Sequence, residues 1–253
     1  MKPTIYDVAK KAGVSIATVS KVMNNQPVRK KTREKVLEAM EELDYKPNIL
    51  ASALMGKRTS TIGFLLPDIA NPFVAEMARR VEDRAHEKGY NLVICSTDFD
   101  REKEALYISL LNQKSVDGFI LAGDFKNEDV LKSLLEEHIP VVLLAASHPS
   151  LLVNSVRVDD FIGGYEVASH LISLGHKKIA VIGEDATSSK ERIRGFKQAL
   201  QENEMNLRDE MVVIGGSSSE DAELSAAKLL ADPEPPTAIF ACNDILSMGV
   251  ILA

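Results

Sequence analysis

Two sets of residues in this sequence have types and spacings that could recognise another molecule. The first set follows the short apolar runs of the longer, C-terminal part. Asp68, Asn71 and Phe73 come after TIGFLLP, Asp98 after NLVICS, Asp159 and Asp160 after SVRV, and Asn243 and Asp244 after IFAC; Arg192 lies early in the helical stretch that follows KIAVIG. Carboxylates accept pairs of hydroxyl hydrogens, a guanidinium donates, and a phenyl ring covers an apolar face. Gathered in one cleft, these groups suit a polyhydroxylated ligand. Taken singly, each aspartate is better explained as the N-cap of the helix after it. The second set lies near the N-terminus, where Ile16, Ala17, Ser20, Lys21 and Asn24 stand off the apolar stripe of a short helix. That face has the size and chemistry to enter a DNA major groove, with lysine toward guanine acceptors and the apolar pair toward thymine methyls.

The elements that must position this second set are read from TIYDVAKKAGVSIATVSKVMNN, Thr4 to Asn25. Thr4 is an N-cap with Asp7 three residues on, the spacing of a capping box. Ile5, Val8, Ala9 and Ala12 share one helical face. Gly13 permits a sharp turn, and Ser15 caps a second helix whose apolar positions are Val19, Val22 and Met23. The pair reads as a helix-turn-helix; by shape alone, a helical hairpin of an ordinary bundle fits equally well. A third helix is expected from about Lys31 to Leu43, burying Val36, Leu37, Met40 and Leu43. Pro47 then breaks the chain. Asn48 can cap a short helix over Ile49 to Met55, ended by Gly56, which is too short to be stable alone. Composition by itself makes this segment a linker with some helical bias.

From Thr61 onward strand-like and helix-like runs alternate, which implies parallel sheets covered by helices. One series runs TIGFLLP, a helix over Pro72 to Lys88, NLVICS, a helix over Arg101 to Gln113, GFILAG, a helix over Glu128 to Glu137, and PVVLLA. A second series begins near Val156 with SVRVDD and continues through KIAVIG, EMVVIGG and TAIFACN with their intervening helices. Ligands of such sheets sit beyond the carboxyl ends of the strands, here in the cleft between two halves.

Charge is unevenly distributed. The net charge is −7, yet residues 1–58 carry 12 Lys and Arg against 6 Asp and Glu, leaving the remainder at −13. A basic head on an acidic body is the asymmetry of a nucleic-acid-binding module attached to a sensor. The two cysteines, Cys95 and Cys242, lie in apolar runs without CxxC spacing, which gives no support to a zinc site or disulfide framework and suits buried free thiols in a reducing cytoplasm. The N-terminus has no apolar signal region, and the longest clear apolar run, near IPVVLLAA, is too short to span a bilayer. No phosphate-binding glycine loop, HExxH or GxSxG motif occurs, so no enzyme, cofactor or metal is expected.

IYDVAKKAGVSIATVSKVMNN resembles the N-terminal signature of the LacI/GalR family of bacterial transcription regulators, and the match continues through KTREKVLEAMEELDYKPN and over the rest of the chain. The resemblance implies an all-α helix-turn-helix head (1–46), a hinge helix and linker (47–59), and an α/β core (60–253). The core would be two doubly wound parallel-sheet subdomains of the periplasmic-binding-protein type, 60–153 and 154–253. Family members continue beyond the helix in which Ala253 falls, so the core is expected to be C-terminally incomplete. The implied function is a repressor that binds a palindromic operator as a dimer, with affinity set by a small-molecule effector. Lys21, Ile16 and Ala17 would read base edges, and Thr4, Tyr6, Ser15, Thr18, Ser20 and Asn24 would hold phosphates. Asn48, Ala51 and Leu54 belong to the hinge helix, Leu54 matching a leucine that levers a base step apart in the minor groove. Arg192, in RIRGF, matches an effector-binding arginine; Asp244, Asp159 and Phe73 match positions that contact ligand or line the cleft. Three departures stand out: Asp159-Asp160 replaces Asp-Asn, IGGSSSED lacks an aromatic residue, and Arg29 replaces a capping serine. The first two leave open a sugar, a sugar derivative, another small molecule or a protein co-regulator as effector; the third weakens the cap of the third helix, though an arginine there could reach a phosphate. The competing reading, a solute-binding protein without a DNA role, is disfavoured by the missing signal peptide and the basic helical head.

Overall fold

The computed structural model describes residues 3–23, 26–45, 58–148 and 150–253. The chain divides into two units, Met1–Thr59 and Ser60–Ala253.

In the first unit α1 (Ile5–Ala12), α2 (Ile16–Met23) and α3 (Lys30–Glu42) enclose Val8, Ala9, Val19, Val22, Val36 and Ala39. The Asp7 carboxylate accepts hydrogen bonds from both the N–H and the hydroxyl of Thr4, at 2.8 and 2.7 Å, which closes the first turn of α1. Gly13 ends α1 at φ 64° and ψ 36°. An added Cβ would meet nothing within 4 Å, so the demand for glycine there is conformational. Ser15 Oγ then accepts the Thr18 N–H at 3.2 Å and starts α2. One expectation fails in α3. Leu37, placed on the buried face by the sequence reading, is 50% exposed, and Ala39 lies inside. Val36, Ala39, Met40 and Leu43 follow the i, i+3, i+4, i+7 stripe; Leu37 is one residue, about 100°, off it.

The second unit contains two parallel sheets. Its first lobe is built from β1 (Thr61–Leu66), α4 (Pro72–Glu87), β2 (Asn91–Ser96), α5 (Arg101–Gln113), β3 (Phe119–Ala122), α6 (Glu128–Glu136), β4 (Val141–Leu144) and β5 (Asn154–Val156). The strand order is β2-β1-β3-β4-β5. The second lobe contains α7 (Asp160–Ser173), β6 (Ile179–Glu184), α8 (Thr187–Glu202), β7 (Val212–Gly215), α9 (Ser219–Leu230), β8 (Ala238–Ala241) and α10 (Asp244–Leu252), with order β7-β6-β8. Central strands read as continuous apolar runs because helices cover both faces: Phe64, Leu65 and Leu66 of β1 and Ala180, Val181 and Ile182 of β6 are fully buried. The sequence reading assigned SVRV to the second series and drew the subdomain boundary at 153/154. Pairing corrects this: Val142, Leu143 and Leu144 of β4 align with Asn154, Ser155 and Val156, so β5 is an edge of the first sheet. Only residues 157–159 separate it from α7 of the second lobe. Among the described residues no helix is long and apolar enough to cross a membrane.

Candidate ligand cleft and nucleic-acid interface

In each sheet the first strand of the series has its successors on opposite sides, β2 and β3 flanking β1, and β7 and β8 flanking β6. Crevices beyond such switch points are where α/β sheets take ligands. A cavity of about 310 Å³ lies there, lined by residues that follow the strands of both lobes: Pro67, Phe99, Asp124, Ala145 and Val158 on one side, Glu184, Arg192, Asn243 and Asp244 on the other. A second cavity of about 390 Å³ adjoins it around Lys126, Glu128 and His148. There Lys190 pairs with Asp185 at 2.6 Å, and a ring nitrogen of His148 lies 3.0 Å from Glu128 Oε1.

Arg192 is held on three sides. Its Nε and Nη2 donate to one oxygen of Asp160, at 2.9 and 2.7 Å, and its Nη1 donates to the Cys242 carbonyl. The backbone carrying it is fixed by two glycines. A Cβ on Gly164 of α7 would stand 1.8 Å from the Arg192 carbonyl oxygen, and one on Gly195 of α8 would stand 1.9 Å from that of Phe161. The two helices therefore touch backbone to backbone, which no other residue type permits. Asn243 does two tasks. Its Oδ1 accepts the Leu246 N–H at 2.9 Å, capping α10, and its Nδ2 donates to Glu184 Oε1 at 2.8 Å. Burial pushes the Glu184 carboxyl above its ordinary range, opposed by the Asn243 hydrogen bond and the Arg192 charge. Burial also pushes the Cys242 thiol up to about 11, leaving it inert; Cys95, expected to be buried, is only partly so.

The aromatic wall has two rings, Phe73 (56% exposed) and Phe99 (40% exposed). Phe73 is set by Asn71, whose Oδ1 accepts the N–H groups of Phe73 and Val74 to begin α4. Phe99 follows β2 through two successive left-handed residues, Asp98 at φ 54° and Phe99 at φ 56°. Aspartate tolerates that region; for a bulky aromatic it stores strain of about 1–3 kcal/mol, a cost found most often beside binding sites. The turn is secured by Asp98 N–H to the Pro67 carbonyl at 2.7 Å and by the Asp98–Lys103 ion pair.

Of the residues proposed from sequence, Phe73, Arg192 and Asp244 line this cavity together. Asp159 does not. It is the N-cap of α7, its carboxylate accepting the Ile162 N–H at 3.0 Å, and its neighbour Asp160 faces the cleft. Sequence reasoning passed over Phe99, Asp124 and Glu184. Each lies at or just after a strand end, a signal already used for the others.

On the first unit, Ile16, Ala17 and Lys21 are exposed on α2, opposite buried Val19 and Val22; Thr18 and Ser20 are partly covered, and Thr4, Tyr6 and Ser15 are exposed. Asn24, Asn48, Ala51 and Leu54, with the proposed hinge helix, lie outside the described residues.

A helix-turn-helix head and a two-lobed core with an interlobe cavity define a DNA-binding sensor. Comparison with known proteins agrees. Residues 4–48 match the bacterial regulatory proteins of the lacI family, and residues 59–253 match the periplasmic binding proteins and sugar binding domain of the LacI family. The chain is 47% identical to the HTH-type transcriptional regulator DegA of Bacillus subtilis, over 100% of the chain and 77% of that protein. It is 38% identical to catabolite control protein A of Priestia megaterium, over 99% and 77%. A solved structure of the lac repressor dimer bound to operator and the anti-inducer ONPF superposes with a TM-score of 0.86 at 28% identity, covering 100% of this chain and 77% of the other. The chain belongs to the LacI family. It is a transcription regulator and not an enzyme.

Proposed function

We propose that this regulator is a cytoplasmic repressor that binds a palindromic operator as a dimer, and that a sugar-like effector between the lobes sets its affinity. The observation that carries the reading is the exposed α2 face, Ile16, Ala17 and Lys21, on a head with an excess of positive charge. Lys21 and the apolar pair read base edges; Thr4, Tyr6, Ser15, Thr18 and Ser20, with Asn24, fix register on phosphates. Asn48, Ala51 and Leu54 extend the contact into the minor groove. In the cleft Phe73, Arg192 and Asp244, joined by Asp160, contact the effector. The lac repressor relative, a dimer with both operator and a small ligand bound, supports this division of labour.

Selection from a random duplex pool on the full chain tests the proposal. A two-fold symmetric sequence should be enriched, bound more tightly than random DNA, with affinity falling steeply with salt. Recovery of no preferred sequence would sink the reading.

A further inference from the structure

The cleft's own charge narrows its ligand. We infer, building on the proposed effector site, that it selects a neutral polyhydroxy compound and refuses the phosphorylated form of the same compound.

Five charged side chains line the cavity: Asp124, Asp160, Glu184, Asp244 and Arg192. Arg192 is the sole cation among them, and it is already engaged. Asp160 takes two of its nitrogens and the Cys242 carbonyl a third. Two of its five N–H groups remain for a ligand oxygen, but its charge is already offset by Asp160, so a phosphate gains little net attraction there that would offset its desolvation. Once Arg192 and Asp160 offset each other, the remaining charges are all negative. Asp124 accepts one backbone N–H, Glu184 accepts one amide hydrogen, and among the described residues the Asp244 carboxylate has no hydrogen-bond or ion-pair partner. Each has acceptor capacity left over. The nearby lysines do not reverse this. Lys103 is paired with Asp98, Lys190 with Asp185, and Lys126 lines the adjoining cavity with its Nζ over the Phe99 ring, 5.5 Å from its centre. What the site offers is carboxylate acceptors facing two phenyl rings. That field matches hydroxyl donors on an apolar carbon frame. It repels an anion, whose charge would be desolvated beside like charges.

Calorimetry on the full chain decides it, using ribose, glucose and fructose, each beside its monophosphate, for the wild type and for the double variant Glu184→Gln/Asp244→Asn. The expected result is binding of at least one free sugar, with its phosphate weaker by 100-fold or more. The double variant should shrink that gap at least tenfold, partly by admitting the phosphate. A phosphate that binds as tightly as its free sugar, or a gap unchanged in the double variant, overturns the charge selection but leaves the cleft as an effector site. If none of the six compounds binds the wild type or raises its melting temperature, the sugar-effector reading itself falls, and this inference with it.

Discussion

Asp124, at the end of β3 in the first lobe, caps a helix of the second: its carboxylate accepts the N–H of Thr187, the first residue of α8, at 2.8 Å. The residue at the cap position in the chain is Ala186, which has no side-chain acceptor to offer. A negative charge at a helix N-terminus is favourable twice over, through the hydrogen bond and through the helix dipole.

Asp124→Ala should therefore destabilise the Ser60–Ala253 unit by about 1 kcal/mol in urea denaturation. Thr187→Pro should do so too, by removing the donor and setting the ring Cδ where it pushes the Asp124 carboxylate aside. Proline suits the first helical position, and Ala186 at φ −124° and ψ 150° already has the backbone a following proline requires. Because both changes delete one bond, the double variant should lose little more than either single one. Full additivity would show that the bond does not contribute in solution.

Arg192→Ala should abolish the response to effector while operator binding without effector persists. It also strips Asp160 of its cation, so Arg192→Ala/Asp160→Asn should recover stability without recovering ligand binding. Calorimetry and thermal melts separate the two effects. Equal ligand affinity in wild type and Arg192→Ala would remove the arginine from the site.

Lys21→Ala should cost about 1–3 kcal/mol on the selected operator and broaden the preference at one base pair of each half-site. Binding to random DNA should change far less. Fluorescence anisotropy on both duplexes is the measurement, and an equal loss on both would make Lys21 a phosphate contact.

Glu104 supplies a pH dependence. It is 2% exposed on α5, and its carboxylate accepts the N–H groups of Lys126 and Asn127, at 3.2 and 2.9 Å. Burial, the larger influence, raises its folded-state value; the backbone donors oppose it. The unfolded chain therefore ionises first. Stability from this group is present below the ordinary glutamate range and lost as pH rises through the raised value. Glu104→Gln should flatten that decline in urea titrations run upward from pH 4. An unchanged slope would assign the dependence to another carboxyl.

Gly195→Ala should destabilise the core by about 1–3 kcal/mol, despite alanine's better helix propensity, because its methyl meets the Phe161 carbonyl at 1.9 Å. A melting temperature equal to wild type would show that α7 and α8 can part at small cost.

Much of this architecture was legible in the sequence because it rests on periodicity and punctuation. The Thr4–Asp7 spacing, Gly13 and the stripe of Val8, Val19, Val22 and Val36 locate the head, and alternation from Thr61 locates the sheets. What was not legible depends on direction. Asp159 and Asp160 are adjacent and chemically identical, yet a local N–H captures one and leaves the other for Arg192. Likewise nothing in SVRV says which sheet it joins, since short parallel strands are assigned by their neighbours in space and not by their own pattern. Phe99 was hidden by its turn: no glycine marks a left-handed step that aspartate and phenylalanine take instead.

The glycine contact between α7 and α8 also bears on how force travels. Side chains between helices act as springs, since rotamers can absorb a displacement; two backbones in direct touch have almost no such give. A pull on Arg192 is then delivered undamped to Asp160 and to the three-residue link that leads back into β5. Such a contact would make the second lobe at that point less a cushion than a rigid lever arm, joined to β5 through residues 157–159.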